Sequence, residues 1–334
     1  MKHKGQLALG LLLALSLIWA YRIAHPPAGK PSRGTETITI WELSLRDIAR
    51  VTYRDGKKEV VLEPDWKDRN GTPYIWVKSR LPKPSRRRRP AKAPPLVSAA
   101  FKGNAQAEKV IEFFARAKAR RMIGRLKALK AADFGFPSKE RWVEITLGSG
   151  QPARRLELGR NLFGNSGTYV HTPHDGGVYL MPARFFRQFS RASTAWIDRR
   201  VLSLSPAAAV RAEVSFGGRS VTVWRLAGKG QWARSPDADG GQETAGAVMK
   251  RLGTLRVLDY PPEPPKGLSA METPQLEIRF FGKENAAPLE SLSLFIGKGN
   301  TFQARSFHTR KKVNIRKQQV LPLMQKIREL FRET

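Results

Sequence analysis

Apolar positions along this chain keep two spacings, and the switches between them lay out its elements. From Thr37 the spacing is two: Thr37-Ile-Thr-Ile40, Ile48-Ala-Arg-Val-Thr-Tyr53 and Glu59-Val-Val-Leu62 read as strands, with Asp55-Gly56 as the hairpin turn between the last two. Tyr74-Ile-Trp-Val77 is a fourth strand, and Leu81 to Pro95, with five prolines and Arg86-Arg-Arg-Arg89, reads as an exposed loop. The spacing then lengthens. Val110, Phe114, Ala117, Met122, Leu126 and Leu129 fall close to one helical face, which predicts a helix over 104–130 with Asn104 as its cap. Strands return at Trp142–Leu147, Arg155–Leu158, Thr168–His171 and Gly177–Leu180, followed by a short helix over Pro182–Ser190.

The same order then recurs. Val214-Ser-Phe216, the turn Gly217-Gly218 and Ser220–Trp224 form a hairpin, Gln231-Trp-Ala233 is short, and Glu243–Leu258 is helical. Gln275–Phe280, Leu292–Ile296 and Val313–Ile315 are strands, and Gln319–Arg332 is a last helix. Leu156-Glu-Leu-Gly-Arg160 answers Leu294-Phe-Ile-Gly-Lys298, which argues for two diverged copies of one unit, 36–200 and 201–334. Ahead of them, Leu7 to Tyr21 is uncharged and follows Lys2 and Lys4, and 25–35 is a Pro- and Gly-containing linker. Residues 1–24 read either as a single-pass signal anchor or as a cleavable signal peptide. The expected fold class is α+β: an N-terminal transmembrane helix, then two tandem repeats of antiparallel strands plus helices. The expected location is the bacterial inner membrane with the C-terminal body in the periplasm.

Charge changes the picture more than any motif. Sixty Lys and Arg face 28 Asp and Glu, a net charge of +32, so a polyanion or an anionic membrane surface is the expected neighbour. Residues 78–130 hold seventeen Lys or Arg and two acids. The candidate binding residues are Arg86, Arg87, Arg88 and Arg89 in the loop, and Arg116, Lys118, Arg120, Arg121, Arg125, Lys127 and Lys130 on the expected helix. Outside the cytoplasm, nucleic acid is not the expected polyanion; an anionic envelope polymer or phospholipid headgroups are. The chain has no cysteine, which removes disulfides, thiolate metal sites and a thiol nucleophile.

Other chemistry is thin. Gly159-Arg-Asn-Leu-Phe-Gly164-Asn-Ser166 approaches a phosphate loop but has Asn165 in place of the lysine and runs into a strand. His171, His174 and Asp175 sit in a turn-forming hairpin tip, and His308-Thr-Arg-Lys-Lys312 is the corresponding tip in the second unit. Ser166 lacks the strand-turn-helix setting of a nucleophile, and Glu108 and Glu112 read as first-turn charges. No enzyme, metal or cofactor is expected.

Phe134-Gly-Phe-Pro137, the Leu158-Gly159 step, Tyr169-Val170, Val178-Tyr-Leu180 and Trp196-Ile-Asp-Arg-Arg-Val-Leu202 resemble the pattern of a bacterial family, domain of unknown function 4340. The resemblance implies a membrane-anchored accessory protein with ABC transporter subunits of the gliding-motility type as partners, and no known chemistry. The Arg86–Arg89 loop and the basic content depart from that pattern.

Overall fold

The computed structural model describes residues 37–66, 73–82, 96–136, 140–261, 273–283, 287–297 and 301–333. In chain order the first half holds β1 (Ile38–Thr39), β2 (Ile48–Asp55), β3 (Lys58–Asp65), β4 (Tyr74–Pro82), β5 (Leu96–Lys102), α1 (Ala105–Ala115), β6 (Lys118–Ala119) and β7 (Arg121–Arg125). It continues through β8 (Arg141–Leu147), β9 (Arg154–Asn161), β10 (Thr168–Thr172), β11 (Gly177–Met181), α2 (Arg184–Arg187) and α3 (Ala192–Ala195). The second half holds β12 (Arg211–Phe216), β13 (Arg219–Arg225), β14 (Trp232–Ala233), α4 (Glu243–Thr254) and β15 (Val257–Asp259). It ends with β16 (Leu276–Phe281), β17 (Glu290–Gly297), β18 (Thr301–Ser306), β19 (Val313–Ile315) and α5 (Lys317–Arg332).

Two large antiparallel sheets organise most of these elements, and β1 pairs with β6 in a separate two-stranded sheet. The first runs β5-β4-β3-β2-β8-β9-β10-β11-β7 and the second β14-β13-β12-β16-β17-β18-β19-β15. Leaving β5 aside, the strands correspond one for one in order. Period-two burial explains the strands: in β8, Val143, Ile145 and Leu147 are buried while Trp142, Glu144 and Thr146 are half-buried. Each sheet covers its inner face with its own helices. Ala107, Val110, Ile111 and Phe114 of α1 enter a core with Phe101, Phe189 and Trp196, where Tyr53 stacks on Phe189 at 4.4 Å. Val248, Met249 and Leu252 of α4 meet Val320, Leu323 and Ile327 of α5 over the second sheet. At about 25 cal/mol per Å² of apolar surface buried, these two cores supply the main stabilisation.

Several expectations need correction. The described residues are mostly antiparallel sheet rather than an α+β body led by a transmembrane helix. No helix among the described residues is long and apolar enough to cross a membrane. The single-pass signal anchor therefore drops out of the described fold; residues 1–24, on which it was placed, lie outside the described residues. The helix expected over 104–130 ends at Ala115, and the chain turns into β6 and β7. The reason is visible in burial: Ala115, Ala117 and Ala119 are buried while Arg116, Lys118 and Arg120 are exposed, a period of two. The helix expected to reach Leu258 ends at Thr254, and β5 and β18 occupy stretches where no strand was expected.

Candidate functional site

Two places combine unusual residues with a defined geometry: an exposed basic edge on the first sheet, and a buried charged junction between the two sheets.

The edge is β7, paired to β11 by Leu180↔Arg121, Tyr179↔Met122, Val178↔Gly124 and Gly177↔Arg125, with a bulge between Val178 and Tyr179. Nothing pairs its outer side among the described residues. Arg116, Lys118, Arg120, Arg121, Arg125, Lys127 and Lys130 are all exposed. Only Arg116 has an ion pair among the described residues, to Glu42 at 3.3 Å. The structure thus gathers these seven along a turn and a sheet edge instead of a helix face. Arg86, Arg87, Arg88 and Arg89 lie outside the described residues. Cations on an edge strand also block unwanted pairing of its free backbone groups, so part of this charge protects the monomer.

The junction went unseen in the sequence. Lys102 closes β5, Asp198 lies in the connection between the units, and His308 lies in the β18–β19 turn; all three are buried. Backbone bonds fix the connection against the first unit, with Asp198 N–H donating to Lys102 O at 2.8 Å and Asn104 N–H to Trp196 O at 2.8 Å. On the other side Val257 N–H donates to Arg199 O at 2.9 Å. His308 Nε2 lies 2.9 Å from Asp198 Oδ2, and Lys102 Nζ lies 2.9 Å from His308 Nδ1 and 3.3 Å from Asp198 Oδ2. Lys102 Nζ is equally close to His308 Nε2, at 2.9 Å, and placing the imidazole proton on Nε2 lets His308 donate to Asp198 while Nδ1 stays open as the acceptor for Lys102. Arg200 adds Nε at 3.1 Å and Nη2 at 2.9 Å to the same carboxylate.

Burial alone would raise the Asp198 carboxyl, but hydrogen bonds from His308 and Arg200 and the Lys102 charge outweigh it and hold it well below the usual carboxylate range. Around this core, Tyr74 O–H donates to Thr309 O at 3.0 Å and Arg310 binds Asp65 at 2.8 Å. The fully buried Glu290 accepts from Ser203 N–H and Phe307 N–H, both at 2.9 Å. Ser306, His308, Thr309 and Arg310 each bind a partner here, so this junction reads as a fastener. Asp198 had a signal, since it sits in the Trp196–Leu202 segment; Lys102 had none. The expected His308–Lys312 hairpin tip is in fact docked, with His308 and Thr309 buried against the first unit.

The remaining candidates are local structure. The 159–166 segment joins two strands through a short turn in which Gly164 takes φ 72°. His171 Nδ1 lies 3.0 Å from Glu157 Oε2, His174 is exposed, and Asp175 binds Gly177 N–H at 2.8 Å and Tyr179 O–H at 2.6 Å, closing the hairpin. Ser166 and Glu112 are exposed, and Glu108 sits in the first turn of α1. No three His, Asp or Glu converge to hold a metal among the described residues.

This antiparallel architecture, with the Trp196–Leu202 connection at its centre, is matched by one family model. The model described as Domain of unknown function (DUF4340) matches residues 103–271, just over half of the chain, and the chain belongs to that family. No curated protein and no solved structure matches it.

Proposed function

We propose that this protein is a non-enzymatic accessory subunit of a bacterial envelope assembly that holds an anionic surface, polymer or phospholipid headgroup, through the basic edge of its first sheet. An ABC transporter subunit is the neighbour this reading places beside it. The observation that carries the proposal is the seven exposed cations from Arg116 to Lys130, of which one has an ion pair among the described residues. Edge protection explains the charges on β6 and β7, but not Arg116, Lys127 and Lys130, which lie outside any strand. Solubility would be served equally by mixed signs.

Salt titration of the full chain on immobilised polyphosphate and on phosphatidylglycerol vesicles tests this reading. Attraction of this kind releases counter-ions, so affinity falls steeply as salt rises. Binding that ignores salt, or no binding to either probe at low salt, would sink it.

A further inference from the structure

The loop between β9 and β10 carries a phenylalanine with no partner among the described residues. Phe163 is 104% exposed, whereas the other exposed large hydrophobic residues lie between 37% and 47%. Single apolar residues on a surface are ordinary when they are half covered. A fully projecting aromatic ring on a well-held loop is different.

The base of that loop is fixed. Leu162 N–H donates to Gly167 O at 2.9 Å, Thr168 Oγ1 donates to Asn161 Oδ1 at 2.8 Å, and the Leu162 and Leu180 side chains close over Gly167. Gly164 takes a left-handed turn immediately after Phe163. The loop thus presents one ring outward from a packed base.

Strand register places the Arg120–Arg121 end of the basic edge at the same end of the sheet as this loop. Tyr169, Leu180 and Arg121 form one cross-strand row, so their side chains share a face. Arg120 N–H donates to Leu180 O at 2.8 Å. Met181, which pairs with Thr168, leads directly into α2 and its exposed Arg184 and Arg187, and Arg160 is exposed where β9 enters the loop. The three segments 116–125, 158–169 and 180–187 contain no Asp or Glu. Asp133 is the exposed acid on the neighbouring turn, beside Phe134, whose ring packs edge-on against Tyr169 at 4.9 Å.

An aromatic tip among arginines suits an interface with apolar chains beneath an anionic layer. A soluble polyanion offers the second and not the first. We propose that the anionic partner of the basic edge is a lipid bilayer, and that Phe163 inserts at its headgroup boundary while Arg120, Arg121, Arg160 and Arg184 engage the headgroups. This rests on the anionic-surface reading above.

The absence of cysteine makes the test clean. Full-length Phe163→Cys carrying an NBD label is mixed with phosphatidylcholine vesicles, with and without phosphatidylglycerol. Ala208→Cys, exposed in the second unit, is the control. The label at 163 should shift to the blue and brighten only with phosphatidylglycerol, and the label at 208 should not respond. In parallel, Phe163→Ser should weaken binding to phosphatidylglycerol vesicles about tenfold and leave polyphosphate binding unchanged, since burying a phenylalanine ring is worth at least that factor. A silent label at 163 on bound vesicles, an equal response to both vesicle types, or equal weakening towards polyphosphate would each overturn the insertion while leaving the electrostatic reading in place. Failure of the unmodified protein to bind either probe would instead remove the reading beneath it.

Discussion

The two sheets carry the same strand order to opposite ends at their outer edge. In the second, the last strand is β15, three residues ending on Asp259, and it is covered: Val257 N–H binds Arg199 O in the connection between units, and Arg199 Nη1 donates to Leu258 O at 2.6 Å. In the first, the corresponding place is β7, five residues bearing Arg121 and Arg125, and nothing described covers it. One architecture thus uses an edge to fasten its units together and leaves the equivalent edge free. The difference singles out β7 as the candidate docking edge better than any motif does, because the fold itself supplies the reference position. The inner ends differ too. The first sheet adds β5, and its last residue, Lys102, is the one buried in the junction.

The junction offers the sharpest way to break this comparison. Asp198→Asn leaves Lys102 and Arg200 facing a neutral amide, and removal of one partner of a buried pair costs about 3–5 kcal/mol. Urea unfolding of the full chain should show that loss, and a change under 1 kcal/mol would mean the units dock without it. The pH dependence has a definite sign. A depressed carboxyl stabilises the fold fully above its unfolded pKa of about 3.9, and the contribution fades as pH falls towards the lower folded value. The share of the gap between wild type and Asp198→Asn that comes from this carboxylate should therefore narrow below about pH 4.

A smaller effect separates the two Leu/Ile-Gly-basic steps. A Cβ on Gly159 would lie 2.2 Å from Phe134 O, a backbone atom, and 2.9 Å from the Phe136 ring. On Gly297 the close atom is Thr301 Oγ1 at 2.7 Å, which a rotamer change removes. Gly159→Ala should cost about 2–3 kcal/mol and Gly297→Ala less than about 1. Thermal or urea unfolding checks this, and equal costs would show that the two steps are packed alike.

Much of the sheet was legible because turns and β-branched residues mark it. Gly56 and Gly217-Gly218 take positive φ in hairpin turns, as expected, although the first loop is Gly56-Lys57, with Asp55 still paired to Lys58. The failures share a cause. In 115–119 the buried positions are alanines, which favour helix and carry little hydrophobic contrast, so the period of two was masked. In β18 the inward set is Phe302, Ala304 and Ser306, one strong signal in three. The cations were legible one by one, but their gathering at an edge depended on that misread turn. Lys102, Asp198 and His308 meet across as many as 206 positions of sequence, and buried polar residues follow no period.

The central claim is that the free edge of the first sheet binds, and not the net charge of +32 as a whole. Two full-length variants with equal charge loss decide it. One replaces Lys118, Arg120, Arg121 and Arg125 with serine. The other replaces Lys250, Arg251, Arg305 and Lys317, all exposed on the second unit, with serine. Affinity for phosphatidylglycerol vesicles is measured for both across a salt series. The account predicts that the first variant loses most low-salt affinity and flattens the salt dependence while the second stays close to wild type. Equal losses in the two would contradict it.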